Sequence, residues 1–234
     1  MERREFIKRL GFGSLLFPLV VVHGNTGKSP TGTGEALHSE NCVPTPRATS
    51  GPFPTKSPSK VTMADIRSDR TGVEMDVEIT VVNKNNNCSP IPGALVDIWH
   101  CDKDGYYSEY GGTGMQTVNY QSLHFLRGRQ MTGDKGVASF KTIFPGWYPR
   151  RAPHIHVHVY DATGKSLIVT QIAFPPDVCD LVYSKATQFY TRGTQDTPND
   201  ADGVFSNSWR DRLGVLTGSV SKGYLLTDRI VVSL

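Results

Sequence analysis

Val73-Glu74-Met75-Asp76-Val77-Glu78-Ile79-Thr80-Val81 alternates apolar and polar residues without a break. Side chains on a strand point to opposite faces in turn, so a period of two describes a strand with one face buried and one in water. Shorter strand-like runs follow at 94–100, 137–143, 154–160, 166–173 and 229–234. Turn sequences separate several of them: Asn83-Lys84-Asn85-Asn86-Asn87, Asp134-Lys135-Gly136 and Ala162-Thr163-Gly164. Helix signals are confined to a short piece after Pro176. Many short strands joined by turns predict an all-β fold: an antiparallel β-sandwich with long loops and little helix.

The rest of the chain bounds what this sandwich does. Its 234 residues, 38% hydrophobic and 20% charged, suit one domain with a single core and exclude general disorder. The net charge is +3 and the 25 basic residues are scattered, which argues against a nucleic-acid partner. At the N-terminus, Arg3-Arg4-Glu5-Phe6-Ile7-Lys8 and the apolar stretch from Phe12 to Val22 read as a twin-arginine-type export signal. The organisation expected is a signal segment over 1–24, a Gly/Ser/Thr/Pro-rich linker and extended arm over 25–60, and the sandwich over 61–234. A periplasmic or extracellular location follows, with membrane contact only through an uncleaved leader. Disulfides are then allowed among Cys42, Cys88, Cys101 and Cys179. Cys42 with Cys88, both in loop sequence, is one candidate couple and Cys101 with Cys179 another; the sequence does not choose among the three pairings.

The chemistry lies between Trp99 and Gln171. In His154-Ile155-His156-Val157-His158 the three imidazoles share one strand face, while Ile155 and Val157 face the core. Adjacent imidazoles on a rigid strand can reach one metal ion, and neutral imidazole is a common transition-metal ligand. Two turns bring tyrosines to the same region: Pro145-Gly146-Trp147-Tyr148 and Asp104-Gly105-Tyr106-Tyr107-Ser108. Alone, each tyrosine reads as a core or interface residue. Beside His-x-His they suggest two phenolates and two imidazoles, a hard donor set that selects iron(III), Fe(3+), and lowers phenol pKa values from about 10.

These motifs, with Pro92-Gly93-Ala94-Leu95-Val96-Asp97-Ile98-Trp99-His100-Cys101-Asp102 and Phe125-Leu126-Arg127-Gly128, resemble the intradiol ring-cleavage dioxygenases. That family includes protocatechuate 3,4-, catechol 1,2- and hydroxyquinol dioxygenases, and the resemblance runs from about residue 42 to about 183. It implies Tyr107, Tyr148, His154 and His156 as iron ligands, Tyr107 being chosen over Tyr106 because it precedes the serine. It further implies Arg151 as a fixed positive charge beside the activated ring, Gln171 as its support, and Tyr148 as the base that leaves with a catechol proton. The expected partners are a small aromatic diol and O2, and a homo-oligomer is compatible. His158 is extra to the family pattern, read as lying beyond the metal, and a long helical N-terminal region like that of catechol 1,2-dioxygenases is not expected. Two other classes fit parts of the pattern: a non-catalytic exported module that binds catechol or iron, and a zinc hydrolase built on the three histidines.

Overall fold

Strand β1 (Glu74–Asn83) keeps the alternation read from its sequence: Met75, Val77, Ile79 and Val81 are buried, while Glu74, Asp76 and Glu78 are exposed. It is the centre of one of two sheets in the computed structural model, which describes residues 42–234. The signal segment and the linker up to residue 41 lie outside the described residues. The remaining strands are β2 (Ser89–Pro90), β3 (Leu95–Trp99), β4 (Arg127–Met131), β5 (Val137–Ile143), β6 (His154–Tyr160), β7 (Ser166–Ala173), β8 (Val215–Ser219) and β9 (Gly223–Val232). Helix α1 (Pro176–Lys185) starts on proline with Asp177 in its first turn and has Lys185 in its last, as the helix dipole favours.

The first sheet runs β2-β1-β9-β8, with β5 also on β1, and the second runs β4-β3-β6-β7. Between them lies a core that includes Val77, Ile79 and Val81 of β1, Ile155, Val157 and Val159 of β6, and Cys179, Val182 and Tyr183 of α1. Among the described residues the named strands pair antiparallel save in one case: β9 runs parallel to β1, from Met75 beside Tyr224 to Asn83 beside Val232. The all-β sandwich therefore stands, with this pair as a correction to the all-antiparallel expectation. Turn signals fix the orientation of strands adjacent in sequence and are silent on two strands from opposite ends of the chain.

Three strands carried no signal: the two-residue β2, β4 and β8. In β4, Arg127 and Arg129 occupy alternate positions, and Gly128 faces the core where an added Cβ would stand 2.5 Å from Ile66. In β8, Val215-Leu216-Thr217-Gly218-Ser219 is an edge strand with no buried residue. Cys42 is bonded to Cys88, whereas Cys101 and Cys179 are free and buried. The second couple is not formed: Cys101 packs with Trp99 and Tyr107, while Cys179 on α1 belongs to the core between the sheets.

From Cys42 the arm runs from the first sheet to the second: Thr45 N–H donates to Val231 O of β9 (3.1 Å) and Ala48 N–H to Val169 O of β7 (2.9 Å). Further on, the side chain of Gln171 donates to Thr49 O at 2.8 Å.

Candidate metal centre

Strand β6 does what its alternation demands. Ile155 and Val157 enter the core, and His154 and His156 emerge on the opposite face, 2% and 1% exposed under the covering loops. His154 Nδ1 donates to Ala152 O at 2.6 Å, since a carbonyl only accepts, so its Nε2 carries a free lone pair. That Nε2 lies 3.1 Å from Nε2 of His156. The His156 ring stacks on Trp99, its register partner on β3, with centroids 4.8 Å apart. Burial first, and then the nearby Arg151 charge, pushes His154 down to about 3. Burial and the His154 and Arg151 charges hold His156 well below the ordinary imidazole value, so both rings are neutral.

Tyr107 comes from the loop after β3. Asp102 Oδ1 accepts the Asp104 and Tyr106 N–H groups at 3.0 and 2.9 Å, closing a tight turn in which Gly105 takes φ +88° against the Trp147 carbonyl. Gln116 then serves as a one-residue strand partner, accepting from Tyr107 N at 2.7 Å and donating to Tyr107 O at 2.8 Å. The Tyr107 hydroxyl ends 3.5 Å from His154 Nε2, fully buried, its ring stacked on Phe53 of the arm at 4.7 Å. Tyr148 ends the turn after β5, its ring edge-on to Tyr107 at 5.7 Å and to His154 at 5.7 Å. Burial raises the pKa of both phenols, and the neighbouring Tyr148 adds to the rise at Tyr107.

Arg151 donates from Nη1 to the Tyr148 hydroxyl (3.2 Å), from Nη2 to Gln171 Oε1 (2.5 Å) and from Nε to Asp202 Oδ2 (2.8 Å). Gln171 is the register partner of His156 on β7, so Trp99, His156 and Gln171 form one row across three strands. All six residues singled out in the sequence converge here. His158 shares the strand face but is engaged elsewhere, its Nε2 2.7 Å from Ser166 Oγ and its Nδ1 2.9 Å from the Tyr160 hydroxyl. Among the described residues no three His, Cys, Asp or Glu side chains group to hold a metal, so a site of three histidines is not formed.

The donor set fits a cation. Two nitrogens each about 2.1 Å from one ion, at a right angle, stand about 3 Å apart, and the two Nε2 atoms are 3.1 Å apart. A highly charged ion would also supply the countercharge that two buried phenols need in order to ionise.

Four contributors escaped the sequence reading: Phe53, Gly51, Gln116 and Asp202. Gly51 takes φ +67° directly over the His156 ring, where a Cβ would stand 3.0 Å from Cε1. Only the Gly-Pro at 51–52 hinted at a special backbone. Gln116 and Asp202 sit in loops without periodicity and gave no signal.

Fold and site together define a β-sandwich with a buried constellation of tyrosines and histidines on the outer face of one sheet. The Dioxygenase family model matches residues 50–208, more than half of the chain. An intradiol ring-cleavage dioxygenase from Tetranychus urticae is 28% identical, with a TM-score of 0.73 over 82% of this chain and 95% of that one. Catechol 1,2-dioxygenase 1 of Acinetobacter lwoffii is 25% identical over 71% of this chain and 59% of its own length. Catechol 1,2-dioxygenase of Acinetobacter baylyi is 31% identical over 58% of this chain and 48% of its own length. The chain thus spans about half of the curated relatives it matches. It belongs to the intradiol ring-cleavage dioxygenase family.

Proposed function

We propose that the chain is an exported iron(III) dioxygenase that opens a catechol-type ring between its two hydroxyls and places both atoms of O2 in a muconate-type dicarboxylate. The observation that carries this is the convergence of Tyr107, Tyr148, His154 and His156 with a buried guanidinium bonded to one of the two phenols. A module that merely binds has no need of a fixed charge at that atom. When bound, iron(III) supplies the electron withdrawal that makes the catecholate ring reactive towards O2.

The residues divide the remaining work. Tyr107, His154 and His156 would hold the metal. The Tyr148 oxygen, to which Arg151 Nη1 donates, would receive a catechol proton. Arg151 then faces the electron-rich ring as a preorganised positive charge. Phe53, stacked on Tyr107, shields the site from water. Export is supported by the twin-arginine pattern and by the Cys42–Cys88 bond, which persists in oxidising compartments.

The test is oxygen uptake by the iron-loaded chain with catechol, protocatechuate and hydroxyquinol, alongside metal analysis and a visible spectrum. About one iron per chain, a broad phenolate-to-iron band that shifts with catechol, and uptake on at least one substrate are expected. A colourless iron protein, or full activity without iron, would overturn the ligand assignment.

A further inference from the structure

We propose that Asp202 is a positioning residue of this site: its carboxylate sets the orientation of Arg151 and, through the Ala152 peptide, that of His154. The proposal rests on the dioxygenase reading above. Asp202 lies on the loop between α1 and β8, 1% exposed, and both of its oxygens are engaged. Oδ1 accepts Val204 N–H at 2.8 Å and Phe205 N–H at 3.3 Å, which fixes the carboxylate to its own loop. Oδ2 accepts Arg151 Nε–H at 2.8 Å and Ala152 N–H at 2.8 Å. Asn199, buried nearby, ties the same loop to Phe174 O at 2.9 Å.

A guanidinium presents three edges. Asp202 takes the Nε edge and Gln171 the Nη2 edge, which leaves Nη1 directed at the Tyr148 hydroxyl. Without Asp202 the last torsions of Arg151 are held by Gln171 alone, and a long side chain regains rotamer freedom. Among the described residues Asp202 is also the only carboxylate in ion-pair contact with Arg151, which is 9% exposed and so needs a countercharge.

The second arm of the clamp runs through Ala152. Its N–H is held by Asp202 and its carbonyl accepts His154 Nδ1–H, so one peptide plane links the carboxylate to the imidazole that points Nε2 at the metal position. The Phe205 ring, carried on the same loop, packs edge-on to His154 at 6.2 Å. Asparagine cannot replace this carboxylate, because either way round it turns an amide N–H2 towards two N–H donors.

The test compares wild type, Asp202→Asn, Asp202→Glu, Arg151→Ala and the Asp202→Asn/Arg151→Ala double variant, each as the iron-loaded full chain. Turnover of Asp202→Asn should fall about tenfold or more, with catechol affinity under nitrogen changed less than about threefold. Added to Arg151→Ala it should cost clearly less than it does alone, because the share that acts through Arg151 is already lost and only the share that acts through Ala152 and His154 remains. Asp202→Glu, which keeps the charge, should recover part of the loss.

Wild-type turnover in Asp202→Asn overturns the proposal, as does an equal loss in the Arg151→Ala background, which marks a merely structural role. Failure of both Asp202 variants to fold overturns it likewise. Absence of ring cleavage in wild type sinks the dioxygenase reading instead. The orientation claim is then judged by the Arg151 Nε–H proton, whose exchange with solvent Asp202→Asn should accelerate; unchanged exchange overturns the proposal.

Discussion

Tyr107 and Tyr148 bear the same phenol in unlike surroundings. Tyr107 is fully buried, stacked on Phe53, and its backbone is gripped on both sides by Gln116. Tyr148 is partly exposed, at a turn, and its oxygen accepts from Arg151. The proposed function assigns the first to stay and the second to move. Tyr148→Phe should therefore keep most of the iron and most of the visible band yet lose turnover, whereas Tyr107→Phe should lose most of the band in the catechol complex. Spectra and oxygen uptake on the pair decide this, and matching behaviour would refute the division of roles. Arg151→Ala should lower turnover by about a hundredfold, the scale for one electrostatic contact made mainly in the transition state, with catechol affinity nearly intact. If affinity falls and there is no turnover to lose, the chain is a binder.

At the level of elements, strand β6 was legible because burial and function both follow a period of two: Ile155 and Val157 face in, His154 and His156 face out. β1 was legible for the same reason. β4 was not, because Arg127 and Arg129 stand where an apolar residue would have marked a strand. The arm was legible only as extended chain, since its packing is set by partners far away in sequence. Arg127 joins these two hidden parts. Fully buried, it donates from Nε to Ser108 Oγ (3.0 Å), from Nη2 to Ser108 O (2.7 Å), and from Nη1 to Phe53 O (3.0 Å) and Thr55 Oγ1 (3.2 Å). Its carboxylate neighbour Glu109, 3.7 Å away, is buried too. Arg127→Met should cost about 3–5 kcal/mol in urea unfolding, because it leaves the buried Ser108 and Phe53 acceptors without their donor and removes a countercharge from buried Glu109. It should also weaken iron retention, because Ser108 adjoins Tyr107 and Phe53 stacks on it. A stability change below about 1 kcal/mol would show that the arm and the Tyr107 loop are held by other contacts.

Across the whole molecule, one set of strands serves two solvents: the space between the sheets is apolar, and the ionisable chemistry gathers under the arm on the outer face of the second sheet. Asp228 breaks that division. Tyr224, Leu226, Ile230 and Val232 on β9 all face the core, and Asp228 occupies the same side of the strand between Leu226 and Ile230. Burial raises its carboxyl from 3.8 to about 6, against the opposing pull of the Arg229 N–H and guanidinium. A carboxyl that holds its proton more tightly when folded favours folding fully below about pH 4. That contribution fades as pH rises through about 6, where folding must carry a charge on a half-buried carboxyl. Other carboxylates act in the opposite sense: Asp161 and Asp202 have lowered pKa values and lose stabilisation as pH falls. Asp228→Asn separates the two trends, because its difference from wild type reports this one group. The variant should be more stable than wild type at about pH 8, by at most about 3 kcal/mol, and should show no comparable gain at about pH 4. Urea midpoints at the two pH values measure it, and an advantage that is equal at both, or larger in acid, would show that Asp228 is ionised without penalty in the folded chain.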